Sequence, residues 1–205
     1  SNMNDSLIVS IFDKGGFFVY PILICSIIAL SIFLKRLYLT RKENIITSGF
    51  EANLEKRIAQ GNFDTAINFC ERDPSIFSQI AIVALVNRER PISELEKMIE
   101  DEGSKQIFAL SKSNEMLGSL SNVSTLLGVL GTISGMITVF KVISTQTVVD
   151  PPSLAGGISE ALYTTAFGLL VAIPSFIGYK FLMNRINEIA IMLQIESKKL
   201  LSKIK

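Results

Sequence analysis

LLGVLGTISGMITVF (126–140) and GISEALYTTAFGLLVAIPSFIGY (157–179) decide the fold of this chain. With their apolar flanks, both are long enough to cross a hydrocarbon core, which takes about 20 residues of helix. Both are nevertheless crowded with small and hydroxyl side chains. Thr125, Gly128, Thr132 and Gly135 recur at spacings of three, four and three, so they share one helix face. Gly131 and Gly135 form a GxxxG. Ala161, Thr165, Gly168 and Ala172 share a face of the second stretch in the same way. Small faces let helix backbones approach closely in a membrane. Gly128, Gly131, Gly135 and Gly168 therefore read first as packing positions.

Working outward, a third apolar run lies upstream. FFVYPILICSIIALSIFL (17–34) carries no charge, and residues 116–179 carry only Lys141, Asp150 and Glu160. The rest of the charge is concentrated elsewhere: residues 36–116 hold 11 Lys/Arg and 13 Asp/Glu. Lys35, Arg36, Arg41 and Lys42 follow the first run, and only Lys14 precedes it nearby, so a signal peptide is disfavoured. The positive-inside rule puts the N-terminus outside and residue 35 onward in the cytoplasm. The loop after the second run has no Lys or Arg, whereas the tail has Arg185, Lys198, Lys199, Lys203 and Lys205.

The expected order is a periplasmic N-terminal segment (1–16), a first span (17–35), a helical cytoplasmic domain (36–116), a second span (117–143), a periplasmic loop (144–153), a third span (154–183) and a cytoplasmic C-terminal helix (184–205). Within the cytoplasmic domain the breakers predict helices over 44–60, 64–72 with Asp64 as N-cap, and 75–88. A long helix opens after Pro91 and runs into the second span. Pro174 is expected to kink the third. Ser1-Asn2 ahead of Met3 reads as the remnant of a cleaved tag and is set aside.

Composition narrows the function. The chain is 48% hydrophobic with mean hydropathy +0.41, too apolar for an ordinary soluble domain. A net charge of +1 gives no footprint for nucleic acid. There are two cysteines, Cys25 and Cys70, and no histidine. That disfavours zinc sites and the usual Ser-His or Cys-His catalysis. No nucleophile–base pair or phosphate loop is visible, so no catalytic residue, metal ligand or cofactor is assigned.

The hydroxyls carry the functional argument. A single membrane threonine can bond back to its own helix and tells little. Depth makes a pair more informative. At 1.5 Å per residue, Thr132 and Thr165 each lie roughly 14–17 Å below the outer edge, on antiparallel helices. One polar layer near mid-membrane is what a proton or sodium path needs, though packing could also produce it. Glu160 admits two readings. An ionisable group inside a span is a functional candidate by default, but it stands shallow enough to snorkel toward water. Five residues are about 140° of helix rotation, so Glu160 and Thr165 face different ways. Lys141 reads as a snorkelling anchor.

The two quoted stretches resemble the second- and third-span signatures of ExbB, TolQ and the wider MotA-related channel family (MotA/TolQ/ExbB). Order, spacing, topology and length extend the resemblance over most of the chain, and three spans favour ExbB/TolQ over larger four-span stator subunits. By resemblance, Thr132 and Thr165 match the family's pore-lining threonines and Glu160 its third-span glutamate. Thr125 replaces a usual proline. Thr164 replaces a small apolar residue, so it joins the candidate ion path and leaves proton and sodium both open. The resemblance implies an all-α membrane protein with five copies around a pore. It further implies an inner-membrane energy transducer with an ExbD/TolR-like single-span partner, two copies of which bring the membrane aspartate. A TonB/TolA-like protein is a further partner in such systems. The alternatives are a sodium-driven motor of the same family and a non-conducting membrane scaffold.

Overall fold

The computed structural model describes residues 15–205, and every element among them is helical. Most of the expected N-terminal segment, with Lys14, lies outside the described residues. The helices are α1 (Val19–Leu39), α2 (Lys42–Ile45), α3 (Phe50–Ala59), α4 (Phe63–Arg72), α5 (Ile76–Val86), α6 (Ile92–Thr145) and α7 (Pro151–Ile204). Helices α1, α6 and α7 are long and apolar enough to cross a membrane. The chain is an all-α membrane protein, with three transmembrane helices among the described residues.

Helices α6 and α7 have 54 residues each, so each runs about 80 Å without a break. No proline interrupts α6, and Pro174 sits inside α7 without ending it. Asp150 starts α7: its carboxylate accepts from the Ser153 amide at 3.2 Å and the Ser153 hydroxyl at 2.7 Å. Pro151 and Pro152, read from sequence as loop, are instead the first turn, where a missing N–H costs nothing.

The local punctuation corrects two sequence expectations. The single helix expected over 44–60 is two, α2 and α3. Gly49 stands between them at φ +75°, a left-handed conformation that glycine adopts cheaply. The N-cap of α4 is Asn62, whose side chain accepts from the Thr65 amide at 3.2 Å, and not Asp64. At α5 the Ser75 hydroxyl accepts from the Ser78 amide at 3.3 Å. Asp73 takes the Ser75 amide at 2.9 Å and the Thr47 hydroxyl at 3.1 Å, fastening the turn between α4 and α5.

The chain divides into two compact units: one up to Phe33 with Glu115–Lys180, the other Leu34–Asn114 with Phe181–Lys205. The second has a conventional core. Phe50, Leu54, Cys70, Phe77, Ile80, Leu85 and Leu95 are buried together. Phe50 stacks on Phe69 at 5.2 Å between ring centroids and meets Phe77 edge-on at 5.9 Å. Arg36 fastens the end of α1 to α6 by donating to the Ala109 carbonyl and, at 2.5 Å, to the Ser113 hydroxyl.

The first unit is built the other way round. Many of its large apolar side chains face outward; Leu126 is 66% exposed and Ile137 63%. Its packed interior joins a few apolar side chains, Ile22 and Leu117 among them, to the small or polar Ser121, Ser124, Ala161 and Thr164. That pattern suits lipid outside, where apolar surface need not be hidden.

Phe77→Ala should cost roughly 3–5 kcal/mol through the cavity it leaves, seen as a lower unfolding midpoint of the purified chain. Burial, with Asp73 adding to it, pushes the Cys70 thiol up to about 12. Cys70 should therefore stay protonated and resist maleimide at pH 8 in the folded chain. It should label promptly once unfolded, when its pKa falls back to near 8.5.

Candidate functional site

Helices α6 and α7 meet along a ladder of small residues that ascends one helix as it descends the other. At one end the Ser121 hydroxyl donates to the Ala172 carbonyl at 2.7 Å. Next, a Cβ placed on Gly168 would stand 2.7 Å from the Ser124 carbonyl oxygen and 2.9 Å from the Gly128 Cα. A Cβ on Gly128 would meet the Gly168 and Thr165 Cα atoms at 3.3 Å. Gly131 lies against the Thr164 side chain, Gly135 against Ala161, and Gly157 against Val139. All four sequence-predicted packing glycines lie on this seam.

Close approach is what allows side chains to bond across it. The Thr165 hydroxyl donates to the Gly128 carbonyl of the other helix at 3.0 Å. The Thr132 hydroxyl reaches the Ala161 carbonyl at 3.1 Å, with its own-helix Gly128 carbonyl at 3.4 Å. The Thr132 and Thr165 hydroxyls also bond to each other. The structure thus brings together the two residues that sequence depth arguments placed in one layer.

The chemistry of the pair follows from counting hydrogens. Two hydroxyls carry two protons, yet three carbonyl contacts and one mutual contact are available to them. Thr132 can donate to Thr165 while Thr165 donates to Gly128; alternatively Thr165 can donate to Thr132. Switching needs only rotation of hydroxyl hydrogens. Both side chains are only part-buried, so their oxygens can still accept from a proton donor or contact a cation. Neither can hold a charge of its own.

The other candidates lie apart from the pair. Thr164 is 2% exposed and points elsewhere: its hydroxyl donates to the Gly15 carbonyl at 2.5 Å, with the Glu160 carbonyl at 3.1 Å. Glu160 is exposed, and its carboxylate lies against Gly16, where a Cβ would stand 2.5 Å from Oε1. Gly16 has φ +66°, so this turn suits glycine twice over. Thr125 bonds back to the Ser121 carbonyl at 3.2 Å within α6. Lys141 is exposed. Two contributors went unassigned from sequence, the Ser121 crosslink and the Gly15–Gly16 turn. Ser121 stands one helical turn before Thr125 on the small face, which was a usable signal. Nothing in the sequence ties Gly15 to Thr164, which lies 149 residues away.

Comparison with known proteins adds an independent line. The profile of the MotA/TolQ/ExbB proton channel family matches residues 45–195. The solved structure of C. jejuni MotAB is similar in fold, with a TM-score of 0.60 at 18% identity, over 98% of this chain and 83% of that one. A search of curated proteins finds no significant match.

Gly168→Ala should destabilise the folded chain by about 1–3 kcal/mol, because the added carbon meets backbone that cannot rotate away. Gly156→Ala, where nothing stands within 4 Å of the added carbon, should be neutral or slightly stabilising. Thermal unfolding of the two variants in detergent compares them directly.

Proposed function

The chain belongs to the MotA/TolQ/ExbB proton channel family, and on that premise we propose that it is the ExbB/TolQ-type channel subunit of an inner-membrane energy transducer. In this reading protons cross beside Thr132 and Thr165, and their passage drives work on envelope or outer-membrane processes. The observation that carries it is the bonded hydroxyl pair on the seam of two transmembrane helices.

The pair supplies hydrogen-bonding oxygen but no titrating group. Residues 116–179 contain two acids, Asp150 at the start of α7 and Glu160 one turn before Thr164. Neither reaches the hydroxyl layer. A deep acid on a second polypeptide completes the path: an ExbD/TolR-like single span whose aspartate meets Thr165. The name of the C. jejuni neighbour, MotAB, joins two components and supports a paired architecture. Five copies around two partner helices remains the expected stoichiometry, and a TonB/TolA-like protein would receive the work.

The positive charges after residue 35 and in the tail support an N-out, C-in topology, with residues 36–116 and 184–205 cytoplasmic. The exposed position of Glu160 suits an outer mouth, where it attracts cations without a desolvation penalty. Thr164 is buried with its hydroxyl turned to Gly15, so its oxygen does not join the Thr132–Thr165 pair. That favours protons over sodium.

Thr165→Val keeps the shape and removes the hydroxyl; it should leave the complex assembled and abolish energised function in cells. Thr165→Ser should retain part of it, and Thr132→Val should act in the same direction as Thr165→Val. Full activity in Thr165→Val and Glu160→Gln together would reduce both sites to packing. Purified without a partner, the chain in vesicles should show little proton or sodium leak. With the partner, flux should follow a proton gradient, and flux following sodium alone would select the sodium-driven reading.

A further inference from the structure

Just past the ends of the first and third spans, Thr40, α2 and α7 enclose a cavity of about 480 Å³. Its polar lining comes from Thr40, Lys42, Asn184, Arg185 and Glu188, and its apolar lining includes Phe181. We infer that this cavity binds the phosphate headgroup of an anionic phospholipid.

Depth is the first argument. Thr40 stands five residues beyond the first span as read from sequence, and Arg185 two beyond the third. At 1.5 Å per residue these are roughly 3–8 Å past the hydrocarbon edge. The polar layer of a bilayer is about 5–8 Å thick on each side. The cavity therefore lies at headgroup level. That this level is the inner leaflet rests on the topology proposed above; its depth does not.

Construction is the second argument. The Arg185 Nε donates to the Thr40 carbonyl at 3.0 Å, across 145 residues of sequence. That bond fixes the guanidinium plane at the cavity and leaves its two terminal nitrogens for an oxyanion, the geometry that suits bidentate phosphate recognition. Among the described residues neither Lys42 nor Arg185 has an ion-pair partner. Glu188 supplies one negative charge against these two cations. Residues 35–43 hold Lys35, Arg36, Arg41 and Lys42 against Glu43, so this segment is net positive. The Asn184 side-chain amide adds a neutral donor. Phe181, exposed at 50%, offers an apolar wall to the glycerol end of a lipid.

Two sources of phosphate fit this chemistry, a lipid headgroup and free phosphate. Phe181 and the headgroup depth favour the lipid. A basic stripe that merely anchors a span would need no cavity, and no arginine oriented by a backbone carbonyl from a distant segment.

The test is a titration of the purified full chain in detergent with phosphatidylglycerol, phosphatidylcholine and inorganic phosphate, followed by the thermal unfolding midpoint. Phosphatidylglycerol should raise the midpoint, and the other two should not. Lys42→Gln should weaken the apparent affinity about fivefold, the worth of one basic residue at a lipid surface. Arg185→Gln should weaken it further. The Lys42 side chain makes no hydrogen bond among the described residues, so its variant carries the test if Arg185→Gln loosens the fold. Arg41→Gln should bind as the wild type does, since Arg41 is exposed above the Tyr38 ring and does not line the cavity. An equal response to inorganic phosphate or to phosphatidylcholine would overturn the inference. So would an Arg41→Gln loss as large as that of Lys42→Gln, which would mean general surface charge.

Discussion

Everything in the membrane part of this chain depends on the backbone contact between Gly128 and Gly168. Lipid tails are as apolar as leucine, so no hydrophobic force presses two helices together there. Attraction must come from many close van der Waals contacts and from hydrogen bonds. Both need backbones nearer than ordinary side chains permit. At Gly168 a single Cβ would stand 2.7 Å from the Ser124 carbonyl oxygen. That closeness lets Thr165 reach the Gly128 carbonyl and Ser121 reach the Ala172 carbonyl. Widen the seam by a methyl group and the threonine pair loses its shared partners.

The two units apply opposite rules with the same two helices. In the charged unit, Leu95, Ile99 and Leu110 of α6 are buried with Leu193 and Leu200 of α7, as water demands. In the apolar unit those helices turn small residues inward and leave Leu126, Ile133 and Leu170 exposed. Each unit therefore uses its own stretch of α6 and α7 according to the solvent that surrounds it.

Much of this was legible in the sequence, and for physical reasons. Apolar length reveals spans because a bilayer has fixed thickness. Spacings of three and four reveal a face because the helix has a fixed period, so Gly128, Thr132 and Gly135 were placed on one side correctly. Thr132 and Thr165 came together because rise per residue converts position into depth. What failed was local. Gly49 divides a stretch read as one helix, since the charge and apolar pattern runs through the break without a signal. Asn62, not Asp64, caps α4, because the choice between neighbouring cap candidates turns on backbone angles that composition does not encode. The Gly15–Thr164 bond was illegible for another reason: it joins positions far apart in sequence, with no periodicity to connect them.

The division between Thr164 and Thr165 shows how little a pair of identical residues says about shared duty. Adjacent positions on a helix differ by 100°, so one hydroxyl faces α6 and the other the Gly15–Gly16 turn. A buried hydroxyl that donates to a fixed carbonyl has spent its only proton, and Thr164 has done so. Thr165 has two acceptors for its proton, the Gly128 carbonyl and the Thr132 hydroxyl, and the second of these carries a proton that can itself move. That contrast, rather than the count of hydroxyls in the third span, is why the proposed path runs by Thr165. It is also why the path needs an acid from elsewhere. A hydroxyl pair can relay the direction of hydrogen bonds but cannot store a proton between two sides of a membrane, and a group that stores one must be able to lose its charge in place.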